Sequence, residues 1–232
     1  MGVGYTGAFS SSGEGFAMDL KRAWKKLLMG QCRRPGGLLG EYIGRRMNRS
    51  HYALTGWGLS HVAVAPDDDV LDIGCGGGRT LARLAELSPR GRICGVDASA
   101  KSVAMSRRCN AAAIASGRMD VRQASVSALP FPDATFRLVT AVETHYFWPD
   151  LPSDFREALR VLRPGGRFLL LAEVYDTPRF DARNRKWLEL VPMTYLSPAR
   201  FRELFAQAGF DEVAVHEETD HGWLCCLGRK PL

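Results

Sequence analysis

From Pro66 onward, short unbroken apolar runs alternate with longer segments in which apolar residues return every three or four positions. The runs lie at about 69–74, 92–97, 119–124, 136–143 and 167–174, and the periodic segments at about 77–88, 99–116 and 151–162. Strands that read as continuous apolar stretches belong to a parallel sheet covered on both faces. Strand–helix alternation of this kind predicts right-handed crossovers and a doubly wound α/β sheet. The end of the chain departs from the alternation. A helix is expected over 197–208, followed by DEVAVHEE and GWLCCLGRK with only a short turn between them. Strands joined so tightly must run antiparallel.

The segment ahead of this body reads differently. Residues 1–17 are rich in Gly and Ser and are expected to be a disordered extension. Residues 18–65 are expected to form a helical cap. Its first helix, MDLKRAWKKLLM, sets Leu20, Trp24, Leu27 and Leu28 opposite Lys21, Arg22, Lys25 and Lys26. Two further helices, over 38–48 and 51–64, read as too polar for the central core, and they carry Asn48, His51 and Trp57 toward any cavity they cover. A helical insertion at about 178–196, with Trp187, Met193 and Tyr195, offers a second cover inside the 66–232 domain. Aromatic and Met residues in both covers point to an apolar ligand.

Charge sharpens this division. Of the formal charge of +6, residues 1–55 hold nine Lys/Arg against three Asp/Glu, whereas residues 56–232 hold 22 of each. A neutral body argues against nucleic acid as a partner. The basic helix over 18–29 leaves open docking on an anionic membrane surface, and MGVGYT fits a myristoylation pattern. The six cysteines include no C-x-x-C pair, so reduced thiols are expected, with neither a disulfide frame nor a metal site. With no secretion signal and no apolar run of membrane length, a cytoplasmic protein is expected.

The candidate chemistry centres on VLDIGCGGGR, residues 70–79. Ligands of doubly wound sheets bind at the carboxyl ends of the strands. Gly74 and Gly76 begin a dinucleotide fingerprint, but Arg79 occupies its last glycine position, and the spacing is wrong for a phosphate loop. Asp72, two residues before Gly74, would repel a pyrophosphate and welcome a cation. Asp97, closing the next run in RICGVD, suits a ribose diol. S-adenosylmethionine combines a ribose, an adenine and a cationic amino-acid tail without any phosphate.

VLDIGCGGG, GVDAS, QASVSALPFPDATF and LRPGGRFLL, in this order, resemble a class I S-adenosylmethionine-dependent methyltransferase, within the ubiquinone–menaquinone methyltransferase-like (type 11) group. The resemblance covers 66–174 and continues through LFAQAGF to the final strand pair. It implies a seven-stranded sheet with one antiparallel strand, and S-adenosyl-L-methionine as cofactor. By position it implies that Gly74, Cys75, Gly76 and Gly78 shape the cofactor turn and that Asp72 serves the methionine end. Asp97 and Ala98 would hold the ribose, Ser125 and Val126 the adenine, and Glu143 would lie beside the methionyl part. Ser125 stands where many relatives carry Asp, and Arg137 replaces a frequent Asp. In AVETHYFWPD, His145 is the best candidate for a general base, needed only where the acceptor is protonated, Tyr146 is a positioning hydroxyl or an aromatic wall, and Phe147 and Trp148 are read as core or helix-capping. The stretch lacks the N/D-P-P-Y/F motif of enzymes that methylate adenine or glutamine amines, which favours a small-molecule acceptor. A membrane-docking protein and a NAD-dependent oxidoreductase are the alternatives.

Overall fold

The computed structural model describes Tyr42 and residues 51–232. The expected extension and the basic helix over 18–29 lie outside the described residues, as does Asn48. Seven strands form one sheet in the order β3-β2-β1-β4-β5-β7-β6. They are β1 (Val70–Ile73), β2 (Ile93–Asp97), β3 (Met119–Gln123), β4 (Phe136–Val142), β5 (Leu162–Ala172), β6 (Asp211–Glu218) and β7 (Trp223–Arg229). All neighbours among the first five pair in parallel, and β7 runs antiparallel between β5 and β6. The doubly wound sheet and its antiparallel tail are as the apolar pattern requires.

The helices are α1 (Tyr52–Leu59), α2 (Arg79–Leu87), α3 (Ala100–Cys109), α4 (Ala111–Ala115), α5 (Leu151–Val161), α6 (Asp181–Leu188) and α7 (Pro198–Ala208). The helical segment expected over 99–116 breaks at Asn110, whose side-chain amide donates to Gly78 O at 3.0 Å instead of continuing one helix.

Alternate residues of each central strand enter different cores, as the two-residue period of a strand dictates. Phe168, Leu170 and Ala172 of β5 join Phe155 of α5 and Phe201 and Phe205 of α7 on one face. Leu169 and Leu171 meet Leu54 of α1, Leu81 and Leu84 of α2 and Val103 of α3 on the other. Four cysteines, Cys75, Cys94, Cys225 and Cys226, are buried free thiols, and Cys109 is exposed.

One expectation fails here. The helix after residue 50 is part of the core: Leu54 is fully buried, and a side chain at Gly58 would collide with Leu171. Its small and apolar residues, Leu54, Thr55, Gly58 and Leu59, fall on one buried face, which an overall impression of polarity concealed.

Candidate functional site

The carboxyl ends of β1, β2 and β4 open into a cavity of about 540 Å³. The VLDI strand ends in a turn that ordinary residues resist. Gly74, Gly76 and Gly78 all have positive φ, at 75°, 51° and 84°. The three have different surroundings. A Cβ on Gly74 would strike Thr144 after β4, and one on Gly78 would fall 2.5 Å from Asn110 Nδ2. A Cβ on Gly76 would meet only Gly74 O, at 3.9 Å, and would project into open space. Gly76 is therefore the glycine that leaves room for a ligand, while Gly74 and Gly78 permit close packing.

Gly76 N–H donates to Asp97 Oδ2 at 2.9 Å, and Ser99 N–H donates to Asp97 Oδ1 at 2.8 Å. These bonds aim the Asp97 carboxylate across the mouth of the turn, and Ala98 lines the cavity beside it. Asp72 is 2% exposed and accepts a hydrogen bond from Thr140 Oγ1 at 2.6 Å, its register partner on β4. Burial, opposed by the Thr140 bond and assisted by the neighbouring Asp97 charge, pushes its carboxyl up to about 7. A buried carboxyl poised in this way gains most from a cationic ligand. Ser125 and Val126 also line the cavity, with Ser125 Oγ accepting from Ser127 N–H at 3.2 Å to close a short turn. An open glycine, a fixed carboxylate and a buried acid fit the nucleoside, ribose and cationic tail of S-adenosylmethionine.

Cys75 and Gly78 shape the turn without lining the cavity. Cys75 points its thiol inward, 3.9 Å from Ser106 Oγ, and burial pushes the thiol well above its ordinary range.

Beyond β4 the chain turns sharply, with Glu143 at φ 56°. Glu143 lines the cavity, and its Oε1 accepts from Tyr146 OH at 2.8 Å and from Glu173 N–H at 2.5 Å. Burial and the adjacent Glu173 carboxylate both push its carboxyl upward.

The two expected acceptor-side residues do not face the cavity. His145 is fully buried between the rings of Tyr146 and Phe201, at centroid distances of 4.1 and 5.1 Å. Neither of its ring nitrogens has a hydrogen-bond partner, and burial lowers its pKa to about 3. Tyr146 OH is occupied by Glu143 and by the N–H groups of Glu173 and Val174. Trp148 belongs to the core, where it stacks on Phe168, and Phe147 packs against that core, as read; both also line the cavity.

Three residues of the α1 segment, His51, Tyr52 and Thr55, complete the wall. Arg83 of α2 fastens this segment by donating to Tyr52 O at 2.7 Å while its guanidinium covers the Tyr52 ring at 4.1 Å. The sequence pattern does not mark Thr140, Thr144, Tyr52 or Glu173. Each gains its place through a strand partner or a packed helix, so no local spacing announced it.

Residues 70–166 match the model of a methyltransferase domain. The chain is 33% identical over 192 residues to a demethylmenaquinone methyltransferase of Symbiobacterium thermophilum, covering 66% of this chain and 76% of that one. It is 30% identical over 174 residues to a ubiquinone/menaquinone biosynthesis C-methyltransferase of Geobacter sulfurreducens, covering 65% and 67%. Among solved structures, a Haloferax volcanii methyltransferase in complex with its Trm112 activator superposes with a TM-score of 0.71 at 24% identity, over 82% of this chain and 94% of that one. That last likeness is one of fold.

Proposed function

Because the chain belongs to the class I S-adenosylmethionine-dependent methyltransferases, we propose that it methylates a small planar acceptor bearing a ring hydroxyl, of phenol or quinol type. The observation that carries this reading is the cavity wall beyond the glycine turn. Tyr52, Phe147 and Trp148 bring aromatic surface to the same space as Asp72 and Gly76. Flat apolar walls with a few placed polar groups suit a planar ring more than a peptide or a nucleic acid. The quinone-directed activities named for the two relatives are in keeping with such a ring.

When bound, S-adenosylmethionine supplies a methyl group on a sulfonium whose leaving group is a neutral thioether. Asp97 would accept the ribose hydroxyls and Asp72 would balance the cationic amino-acid end. Ser125 and Val126 would flank the adenine, and Glu143 would border the methionyl part. The remaining task of the chain is to hold the acceptor in line, and orientation alone supplies about 7–11 kcal/mol. Glu143 lines the cavity on this side and His145 does not, so deprotonation of a ring hydroxyl falls to Glu143 more readily than to His145. No described helix is long and apolar enough to cross a membrane. The glycine turn, with the buried Asp72 on the strand just before it, disfavours the dinucleotide alternative.

The test is incubation with methyl-labelled S-adenosylmethionine and a panel of quinols, phenols, carboxylic acids and amines. Label on a ring hydroxyl or an adjacent ring carbon supports the reading. Label confined to amines or carboxylates overturns the acceptor class.

A further inference from the structure

We propose that His51, Glu143 and Glu173 form a binding site for one divalent transition-metal ion at the edge of the cavity. Each offers a ligand atom, and these atoms all lie within 4.8 Å of one another. Donors around an ion at about 2.1 Å stand about 3 to 4 Å apart, so small side-chain rotations close the set.

The three residues are brought together by the architecture. Glu143 and Glu173 follow the ends of the adjacent parallel strands β4 and β5, where Val142 pairs with Leu171. His51 immediately precedes α1, which packs on β5 through Gly58 and Leu171. Among the described residues no side chain or amide is hydrogen-bonded to the His51 ring.

The carboxylates are held as metal ligands are held. Glu143 Oε1 accepts from Tyr146 OH and from Glu173 N–H, at 2.8 and 2.5 Å. Glu173 Oε1 accepts from Trp223 Nε1–H at 3.0 Å. Each acid is thus oriented through one oxygen while the other remains available, the role that outer hydrogen bonds play around bound metals. The nearby Arg183 directs its Nη2 to the backbone carbonyl of Glu173, at 2.7 Å, and its charge acts on both carboxylates, so a bound cation must compete with it.

One imidazole with two carboxylates and no sulfur is a donor set for Mn(II), Fe(II), Co(II) or Zn(II), because a nitrogen ligand disfavours Mg(II) and Ca(II). Three protein donors leave coordination positions open toward the cavity, where water or an acceptor oxygen can sit. The proposal holds whichever acceptor atom is methylated, and its test requires no acceptor.

The experiment uses tag-free, full-length protein freed of metal with a chelator and titrated with Co(II), followed by visible absorption, and with Zn(II), followed by calorimetry. We expect one ion per chain and saturable binding. Glu173→Gln and His51→Gln should each weaken it at least tenfold, in line with losses seen around metal sites. A melting curve and S-adenosylhomocysteine binding by each variant show whether it is folded. If one variant fails to fold, the other decides. Absence of saturable binding to the wild-type chain, or equal affinity in a folded variant, overturns the site. Metal binding without methyl transfer would leave this site standing while the methyl-transfer reading falls.

Discussion

The amide of Gly76 and the carboxylate of Asp97 are joined at 2.9 Å, so the turn after the first strand and the end of the second form one rigid rim. The bond leaves the Cα face of Gly76 open while occupying one lone pair of Asp97 Oδ2. A ligand on this rim meets a bare backbone and a fixed negative charge together.

From this rim follows a contrast between two glycines. Gly76→Ala places a methyl in the cavity at φ 51°, at a backbone cost of about 1–2 kcal/mol. Its melting temperature should fall only slightly, whereas S-adenosylhomocysteine affinity should drop at least tenfold. Gly74→Ala drives a methyl into Thr144, so its main effect should be loss of the folded state. Melting curves and calorimetry of the two variants distinguish these outcomes.

Cofactor affinity should depend on pH through Asp72. Burial raises its carboxyl to about 7, so it is largely protonated at pH 6 and largely ionised at pH 8. S-adenosylhomocysteine carries no sulfonium, but its α-ammonium group is favoured by the ionised form. S-adenosylhomocysteine should therefore bind more tightly as pH rises from 6 to 8, by up to about tenfold per unit below the pKa, and then level off. In Asp72→Asn this dependence should be absent and the affinity low throughout. Calorimetry at three pH values provides the check.

His145 should prove to be a stability residue. With its folded pKa lowered to about 3 and an unfolded value near 6.5, the neutral ring contributes stability above about pH 6.5. That contribution is lost as pH falls, by about 1.4 kcal/mol per unit at most. His145→Leu removes the two unpartnered ring nitrogens and should melt at or above the wild-type temperature at pH 5. His145→Ala should lose about 2–4 kcal/mol to the cavity it leaves. Both should retain cofactor affinity. Loss of the transfer step in a stable His145→Leu protein would restore a catalytic role.

Much of this arrangement could be read from the sequence. The continuous apolar runs fixed the parallel strands, and the short turn before GWLCCLGRK fixed the antiparallel one. The position of Asp97, closing RICGVD just past the glycine turn, marked the second carboxylate. The acceptor side could not be read in this way, because Glu143 enters the left-handed region at φ 56°. The chain then enters a short 3-10 turn over His145–Phe147, where the alternation of a strand no longer applies; His145 is buried there, and Phe147 and Trp148 border both the core and the cavity. His51, Glu143 and Glu173 become neighbours only once α1 docks on β5, and no spacing along the chain records that contact.

The same docking gives the α1 segment a structural role. Leu54→Ala should cost about 2–5 kcal/mol, because the side chain is fully buried against the sheet. Chemical denaturation that shows a loss under about 1 kcal/mol would mean that α1 is only a peripheral cover.

The most direct test of the central claim is calorimetric titration of the purified chain with S-adenosylhomocysteine, beside Asp97→Ala and a parallel titration with NADH. One site per chain with a dissociation constant in the micromolar range is expected. Asp97→Ala should weaken it about 10- to 100-fold, because the ligand hydroxyls lose a charged acceptor. NADH should produce no saturable heat. Equal affinity in Asp97→Ala, or binding of NADH in place of S-adenosylhomocysteine, would contradict the account.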